Sequence, residues 1–282
     1  MRALVTQLRP DGQREKGLVT DWPEPAPPEA NQVKTKTLFS GLTNGSERND
    51  LTRGNYANPD EALPRPWGYQ NVGEVIEAGP DVTSLALGDV VYSSYDHLEY
   101  AVFGEDFLFC KVPDGVDRRE AALFGMTAVA MRTCRHADIR MGQRVLVVGA
   151  GIIGQVAAQI ARVMGGRPDI CDINAERLTL AESIGRAENV LDTSGDGWEK
   201  HIADWSYHVI IDVAGVPGME DKLINAAAHR GRIVWIAGRG QVSYTFNTGQ
   251  IHEIEMMQNS HFDNDDLANL ARLVQQGDVT LA

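Results

Sequence analysis

The sequence predicts an α/β protein in which a β-rich domain precedes a doubly wound domain built on a parallel sheet. Before about residue 120, short apolar runs that alternate with polar residues lie among turn residues. After it, solid apolar runs alternate with helical patterns, as in parallel sheets covered on both faces. A glycine-rich turn also joins one later strand to a helix. The 282 residues allow two ordinary domains, because a domain takes roughly 100–200 residues.

The composition excludes several classes of protein. Apolar residues make up 43% of the chain and charged residues 23%, which is typical of a globular protein and unlike a disordered chain, a fibre or a disulfide-dense scaffold. The 39 acidic residues outnumber the 26 Lys and Arg residues, and the net charge of -13 argues against nucleic-acid and membrane partners. Three sparse cysteines and no evident signal peptide predict a cytoplasmic protein with reduced thiols.

The first 120 residues predict a compact, barrel-like β domain. Four prolines within residues 23–28 indicate an extended, non-helical entry. No long helical pattern precedes residue 118. Alternating apolar runs predict strands over residues 32–39, 71–77, 87–93 and 99–103.

The rest of the chain alternates strands with helices. Strands are predicted over residues 144–148, 168–171, 189–191, 207–213 and 232–237, and helices over residues 151–164, 175–184, 219–228 and 267–275. The apolar run at 251–257 is expected to form a strand at the sheet edge. It contains a His-Glu pair that begins like a zinc-protease motif, but the second histidine of that motif is missing.

A G-x-G-x-x-G motif lies between the strand at 144–148 and the next helix. Gly149 permits the tight turn, Gly151 lets the backbone approach a pyrophosphate, and Gly154 lets the helix pack on the strand. Ile152 and Ile153 open that helix, whose free N–H groups and positive end would face the phosphates. The alternative is a glycine turn without a dinucleotide.

An acid and two pairs of small residues extend this candidate cofactor site. Asp172 follows the next strand and is placed to accept from the adenosine ribose hydroxyls. Its charge would repel a 2′-phosphate, so NAD is favoured over NADP. Small residues after two later strands would let a flat ring lie against the backbone, although they are also ordinary loop residues: Ala214, Gly215, Ala237 and Gly238.

Five motifs carry a resemblance to a known superfamily. They are Ser40-Gly-Leu-Thr-Asn-Gly-Ser-Glu47, Trp67-Gly-Tyr-Gln-Asn-Val-Gly-Glu-Val-Ile-Glu-Ala-Gly79, Leu87-Gly-Asp-Val-Val-Tyr92, Ala121-Ala-Leu-Phe-Gly-Met-Thr127-Ala and Gly142-Gln-Arg-Val-Leu-Val-Val-Gly-Ala-Gly. In this order they resemble the medium-chain dehydrogenase/reductase superfamily over nearly the whole chain. The resemblance implies a GroES-like catalytic domain over residues 1–120 and a Rossmann dinucleotide-binding domain over residues 121–282 with a short C-terminal end. It also implies an active site in the cleft between the two.

The positions that resemble the zinc ligands of this superfamily hold no good zinc ligand. They are occupied by Asn44 or Thr43, by Tyr69 with Gln70, and by Leu123, whereas zinc prefers thiolate, imidazole or carboxylate. The cysteines of a structural zinc lobe are also missing. We therefore expect no metal. The Ser40–Glu47 motif most resembles the metal-free branch of the superfamily that includes the bacteriochlorophyllide hydroxyethyl dehydrogenases.

Without zinc, hydrogen-bond donors must stabilise the negative charge that develops on the substrate oxygen. The candidates are Tyr69, Ser46, Asn44 and Thr43, although Tyr69 could equally line the pocket without taking part. Thr127 resembles a superfamily position near the nicotinamide, or it could serve packing and capping alone. Two further groups stay open: Glu47 as a base or a structural carboxylate, and His97, which we expect to be structural.

The resulting prediction is a zinc-independent, NAD-dependent oxidoreductase that interconverts an alcohol and a carbonyl on a small molecule. Two alternatives stay open. One is reduction of a quinone or an activated double bond, and the other is a regulatory protein that binds a dinucleotide without catalysis. The apolar edge at 251–257 resembles one that pairs across a two-fold axis in the superfamily, which predicts a homodimer.

Overall fold

The computed structural model describes residues 1–54, 57, 60–195, 202 and 204–281. The chain forms two compact units, Met1–Met126 and Thr127–Ala282. Each unit has its own sheets and its own hydrophobic core. In the part of the chain that the structure describes, no helix is both long enough and apolar enough to cross a lipid bilayer.

The amino-terminal unit consists of two antiparallel sheets, the larger of which curls into a half-barrel. Its strands are β1 (Ala3–Leu8), β2 (Arg14–Val19), β3 (Gln32–Ser40), β4 (Arg65–Pro66), β5 (Asn71–Ala78), β6 (Val90–Ser93), β7 (Tyr100–Gly104) and β8 (Phe109–Lys111). The smaller sheet has the order β2-β1-β4, and the larger has the order β7-β3-β5-β6-β8. Alternate residues of the larger sheet point into one core, where Val33, Val75 and Phe103 are buried.

Two helices lie in this unit, α1 (Ser46–Leu51) and α2 (Arg118–Ala121), and α3 (Phe124–His136) begins at its end and continues into the carboxyl-terminal unit. The helix α1 has six residues and begins shortly after the end of β3. The Ser40–Glu47 motif therefore links the end of a sheet strand to the start of this helix. The sequences of strands β1, β2 and β8 show no clear alternation of apolar and polar residues that would predict a strand. The reason is visible in β2, whose residues Arg-Glu-Lys-Gly-Leu-Val are mostly half-buried and lie at a sheet edge.

The carboxyl-terminal unit is a parallel sheet with helices. Its elements are β9 (Arg144–Val148), α4 (Ile152–Val163), β10 (Arg167–Asp172), α5 (Ala175–Ile184), β11 (Asn189–Asp192), β12 (Tyr207–Asp212), α6 (Glu220–Ala226), β13 (Ala227–Trp235), α7 (Phe246–His252), β14 (Glu255–Gln258) and α8 (Asn264–Gln275). The strand order is β11-β10-β9-β12-β13-β14, and all pairs are parallel. The order reverses direction between β9 and β12, which is the point where such sheets bind dinucleotides. The predicted fold class is confirmed.

Two predicted elements of this unit are wrong in part. The helix expected over residues 219–228 ends at Ala226, and β13 begins at the next residue because Ala227 pairs with Tyr207 across an irregular register. The strand expected over residues 251–257 is correct only from Glu255 onwards, where β14 begins, because α7 continues to His252 and Glu253 follows it in a left-handed conformation with φ 50°. The ring of His252 is buried, bonded to the Ala227 carbonyl oxygen and stacked on Trp205.

Candidate functional site

The glycine-rich turn joins β9 to α4 in the carboxyl-terminal unit. Gly149 has φ 104°, a conformation that favours glycine, and its N–H donates to the Cys171 carbonyl oxygen. A Cβ on Gly154 would lie 1.8 Å from the Gly149 carbonyl oxygen. The start of helix α4 can therefore pack against the glycine-rich loop only if residue 154 is glycine.

Gly151 serves a different purpose from its neighbours. It is the N-cap residue of α4, and a Cβ placed on it would meet no atom within 4 Å. No side chain caps this helix, and Ile152 and Ile153 are half-buried in its first turn, whose N–H groups have no acceptor within the helix. Open space and free donors at the positive end of a helix are the conditions for holding a phosphate.

The Asp172 carboxylate fixes the same turn from the end of β10. Its Oδ2 accepts from the Ala150 N–H at 2.7 Å, and its Oδ1 accepts from the Asn174 N–H at 2.9 Å. Arg177 lies 3.5 Å from Oδ2, and its side chain is 53% exposed. A carboxylate has about four acceptor positions, so these contacts leave room for a further donor such as a ribose hydroxyl. The sequence pointed to Asp172 as a ligand contact but did not predict its bond to the turn.

The ends of β12 and β13 carry a group of residues that the sequence did not predict. Asp212 is 1% exposed, and its Oδ1 accepts from the N–H groups of Ala214 and Gly215 at 3.0 Å each. Its Oδ2 accepts from Arg239, which follows β13, at 2.6 Å. The buried ion pair therefore holds Ala214 and Gly215 through Asp212, and Arg239 Nε also lies 3.5 Å from the Ala237 carbonyl oxygen.

Two pairs of groups are brought together in the amino-terminal unit near α1. The Tyr69 hydroxyl and the Ser46 Oγ lie 3.3 Å apart, and both residues are partly exposed. Thr43 is buried, with its N–H and hydroxyl bonded to Glu47, whereas Asn44 is exposed. The structure thus brings the Tyr69 and Ser46 hydroxyls within hydrogen-bond distance of each other, and among the described residues no hydrogen bond orients Asn44.

The two ends of the buried Gln70 side-chain amide have different surroundings. Its Oε1 accepts from the Gly125 N–H at 3.1 Å in the first turn of α3. This contact fixes which end of the amide is the acceptor. The buried Nε2 has no hydrogen-bond partner among the residues that the structure describes. Thr127 lies in the same helix and is fully buried.

A buried chain of polar groups supports this region. His97 Nδ1 lies 2.5 Å from the Ser40 Oγ, and His97 Nε2 lies 3.1 Å from Glu47 Oε2. Lys16 Nζ is 3.5 Å from the same Glu47 oxygen. Burial opposes ionisation of Glu47, but hydrogen bonds from His97 and the Thr43 N–H outweigh it, so the pKa of this carboxyl lies below its ordinary value.

Both ring nitrogens of His97 have a hydrogen-bond partner in this chain of groups. Glu47 is an acceptor, so Nε2 carries a hydrogen. Nδ1 lies beside the Ser40 hydroxyl, which is also 2.9 Å from the Gln70 carbonyl oxygen. His97 is therefore buried with both ring nitrogens hydrogen-bonded, a role that sequence spacing could not reveal.

The described residues contain no group of three or more His, Cys, Asp or Glu side chains that could hold a metal ion. Cys110, Cys134 and Cys171 are all buried, and burial raises the pKa of each thiol to about 12. The absence of zinc stays a prediction that rests on the residue types at the positions named above.

Comparison with known proteins places the chain among dehydrogenases. Residues 153–276 match the family model described as "Zinc-binding dehydrogenase". D-guloside 3-dehydrogenase of Escherichia coli is 28% identical over 265 residues, which cover 83% of this chain and 72% of the relative. The 2-desacetyl-2-hydroxyethyl bacteriochlorophyllide A dehydrogenase of Cereibacter sphaeroides is 27% identical over 292 residues, covering 96% and 86%. These matches support the predicted place of the chain in the medium-chain dehydrogenase/reductase superfamily.

Solved structures of similar fold agree with this placement. Acetophenone reductase from Geotrichum candidum, solved in complex with NAD, gives a TM-score of 0.81 at 19% identity and covers 99% of this chain and 88% of that one. A putative zinc-binding dehydrogenase from Sinorhizobium meliloti, bound to NADP, gives 0.82 at 20% identity, covering 99% and 89%. The predicted enzyme class, an oxidoreductase, is confirmed by the relatives named above, which also support the predicted superfamily.

Proposed function

We propose that this oxidoreductase interconverts an alcohol and a carbonyl group with a nicotinamide dinucleotide and without zinc. The observation that carries the proposal is the Tyr69–Ser46 pair, whose hydroxyl oxygens lie 3.3 Å apart. Tyr69 stands at a position that resembles a zinc-ligand position of the superfamily, and Ser46 at one that resembles the hydroxyl of its proton relay. Each hydroxyl can donate to an oxygen that takes up negative charge, which is the task of the metal elsewhere. The relatives named above act on secondary alcohols of sugars and on a hydroxyethyl group according to their names.

The residues at the glycine turn fit a dinucleotide. The space above Gly151, the uncapped helix α4 and the acceptor positions of Asp172 support binding of a pyrophosphate and a ribose. The cofactor, when bound, supplies or accepts the hydride. The Asp172 carboxylate supports NAD over NADP, because it would repel a 2′-phosphate.

The two catalytic donors have separate supports in this proposal. Tyr92 donates its hydroxyl to the Tyr69 carbonyl oxygen at 2.6 Å, which fixes the backbone that carries the Tyr69 ring. Ser46 is the first residue of α1, and Glu47 beside it is held by Thr43 and His97. These contacts set where the hydroxyl pair can meet a substrate oxygen.

A turnover assay with a panel of acceptors tests the proposal. Ketones, aldehydes, quinones and enones are offered with NADH to the purified chain, with and without a chelator. We expect carbonyl reduction that the chelator does not change and that Tyr69→Phe lowers roughly 100-fold. Tyr244→Phe, which removes a half-exposed hydroxyl in the other unit, should leave the rate unchanged.

Three outcomes would contradict this function. Turnover that the chelator abolishes would show a metal-dependent reaction. Turnover of quinones or enones alone would replace the carbonyl reaction by the alternative one. Tight binding of NADH without turnover of any acceptor would indicate a regulatory protein.

A further inference from the structure

Three charged side chains are buried together behind the loops that follow β12 and β13. Asp212 and Glu220 are 1% and 3% exposed, and the Arg239 side chain is 7% exposed. Arg239 Nη2 lies 2.6 Å from Asp212 Oδ2, and Arg239 Nη1 lies 3.6 Å from Glu220 Oε1. Two carboxylates contact one guanidinium, so the three side chains together carry a formal net charge of −1. We call these three residues the anionic cluster.

The anionic cluster is fixed against the backbone of both loops. Asp212 Oδ1 accepts from the N–H groups of Ala214 and Gly215, and Arg239 packs on the Trp235 ring with 4.7 Å between guanidinium and ring centroid. A Cβ on Gly215 would lie 2.6 Å from the Ala237 Cβ, so the two loops touch. The charge therefore lies directly beneath the small residues against which a flat ring of the cofactor is expected to lie, and we take that ring to be the nicotinamide.

The nicotinamide ring carries a positive charge when oxidised and none when reduced. A buried negative charge near this ring stabilises the oxidised form and has little effect on the reduced one, since charge–charge attraction acts on only one of them. We propose that the anionic cluster makes the protein bind NAD⁺ more tightly, relative to NADH, than a neutral cluster would. The inference rests on the proposed function, because it needs the ring at these loops.

This preference has a consequence for the direction of the reaction. Binding and redox equilibria are linked, so the factor that favours bound NAD⁺ also favours hydride donation by bound NADH. The hydride and its electron pair go to the carbonyl carbon, and the carbonyl oxygen takes a proton. The anionic cluster therefore favours carbonyl reduction on the protein.

Dissociation constants for both cofactor forms test the inference directly. Glu220→Gln removes one negative charge with little change of shape. We expect its dissociation constant for NAD⁺ to rise roughly threefold to tenfold more than that for NADH, the size expected for one charge about 10 Å away in a partly solvated site. Arg239→Met should move the ratio in the opposite direction, which keeps the test decisive if one variant fails to fold.

Two controls separate charge from structure. Arg239→Lys disturbs the packing but keeps the charge, so both affinities fall and their ratio stays the same. Glu188→Gln removes a charge just before β11, at the opposite edge of the sheet, and should change neither affinity. Equal losses of NAD⁺ and NADH in Glu220→Gln and Arg239→Met would overturn the inference. Binding of neither form by the unmodified chain would overturn the proposed function itself.

Discussion

At the residue scale, Gly151 and Gly154 lack a side chain for opposite reasons. A Cβ on Gly154 would collide with the Gly149 carbonyl oxygen, whereas a Cβ on Gly151 would project into open space. Gly154 is therefore needed for the fold, whereas Gly151 is needed only if a ligand occupies the space beside it. Substitution by alanine distinguishes the two roles.

We expect Gly154→Ala to cost about 3 kcal/mol of unfolding free energy, because the backbone of the turn must shift. Gly151→Ala should leave the urea midpoint unchanged and weaken NADH binding roughly tenfold, since its methyl group enters the phosphate space. Denaturation curves and NADH fluorescence titrations measure both effects. Full NADH affinity in Gly151→Ala would contradict a dinucleotide at this turn.

Asp172 combines a structural contact with the proposed choice of cofactor. Asp172→Asn keeps one oxygen acceptor but removes the charge that would repel a 2′-phosphate, and Arg177 beside it stays positive. We expect the ratio of kcat/KM for NADPH to that for NADH to rise roughly tenfold. Steady-state kinetics with both cofactors measure this ratio. A preference of the unmodified chain for NADPH would show that the Asp172 carboxylate does not select NAD.

Residue roles were predictable from sequence where they depend on short spacing. The turn at Gly149–Gly154 and the acid at Asp172 belong to a local pattern, and the structure places them together. The Asp212–Arg239 and Glu47–His97 contacts join residues 27 and 50 positions apart, so only the register of the sheets brings them into contact. Sequence spacing carries no signal for such pairs.

At the scale of elements, the exposed carboxylate of Glu105 organises the turn between β5 and β6. Its Oε1 accepts from the Ser84 hydroxyl at 2.6 Å and from the Thr83 N–H at 3.1 Å. Hydrogen bonds from the side chain and N–H of Ser84, then from Thr83, lower the pKa of Glu105 to about 2. The ionised form is therefore favoured in the folded state.

This contact predicts a pH-dependent contribution to stability. A depressed pKa stabilises the fold above the ordinary value of 4.5, and the stabilisation is lost as the pH falls from there towards about 2. Glu105→Gln should be less stable than the unmodified chain at pH 7, and the difference should shrink between pH 5 and pH 3. Urea midpoints at these values measure it. A difference that does not vary with pH would show that the charge is unimportant.

Elements were predictable where one face is buried and failed where burial is uneven. The alternation in β3 and β5 and the solid apolar runs of β9 and β12 match their burial patterns. The apolar run at 251–257 led to a wrong strand prediction at its start because Ile251 lies on α7 and is 63% exposed. Its apolar side chain therefore does not mark a position that faces the core. The bounds of α6 could not be read, since Ala226 and Ala227 belong to a helix and a strand in turn.

At the scale of the whole molecule, β14 is an edge of the parallel sheet. It pairs with β13 on one side, and Phe246 and Ile251 on the preceding helix are 68% and 63% exposed. Edge strands with nearby apolar surface favour pairing with another chain. We propose that two copies associate through this edge.

Sedimentation velocity tests the dimer. The Asn259 N–H donates to β13, so the N–H of Gln258 faces the open edge, and Gln258→Pro removes a donor that an intermolecular strand pair would use. We expect the unmodified chain to sediment as a dimer and the variant as a monomer with retained NADH binding. Val163→Ser, a substitution at an exposed position at the end of α4, serves as the control and should leave the sedimentation coefficient unchanged. A monomeric unmodified chain would contradict the pairing.

The burial of all three cysteines makes the chain a convenient host for site-specific labels. Their thiols carry a pKa of about 12, so almost none is thiolate, the form that reacts with maleimides and disulfide reagents, at neutral pH. A cysteine introduced at Met141, which is 89% exposed, would then be the position that a fluorophore modifies. Because the three natural cysteines react slowly with such reagents, ligand binding could be followed by fluorescence from the single introduced label without first replacing them.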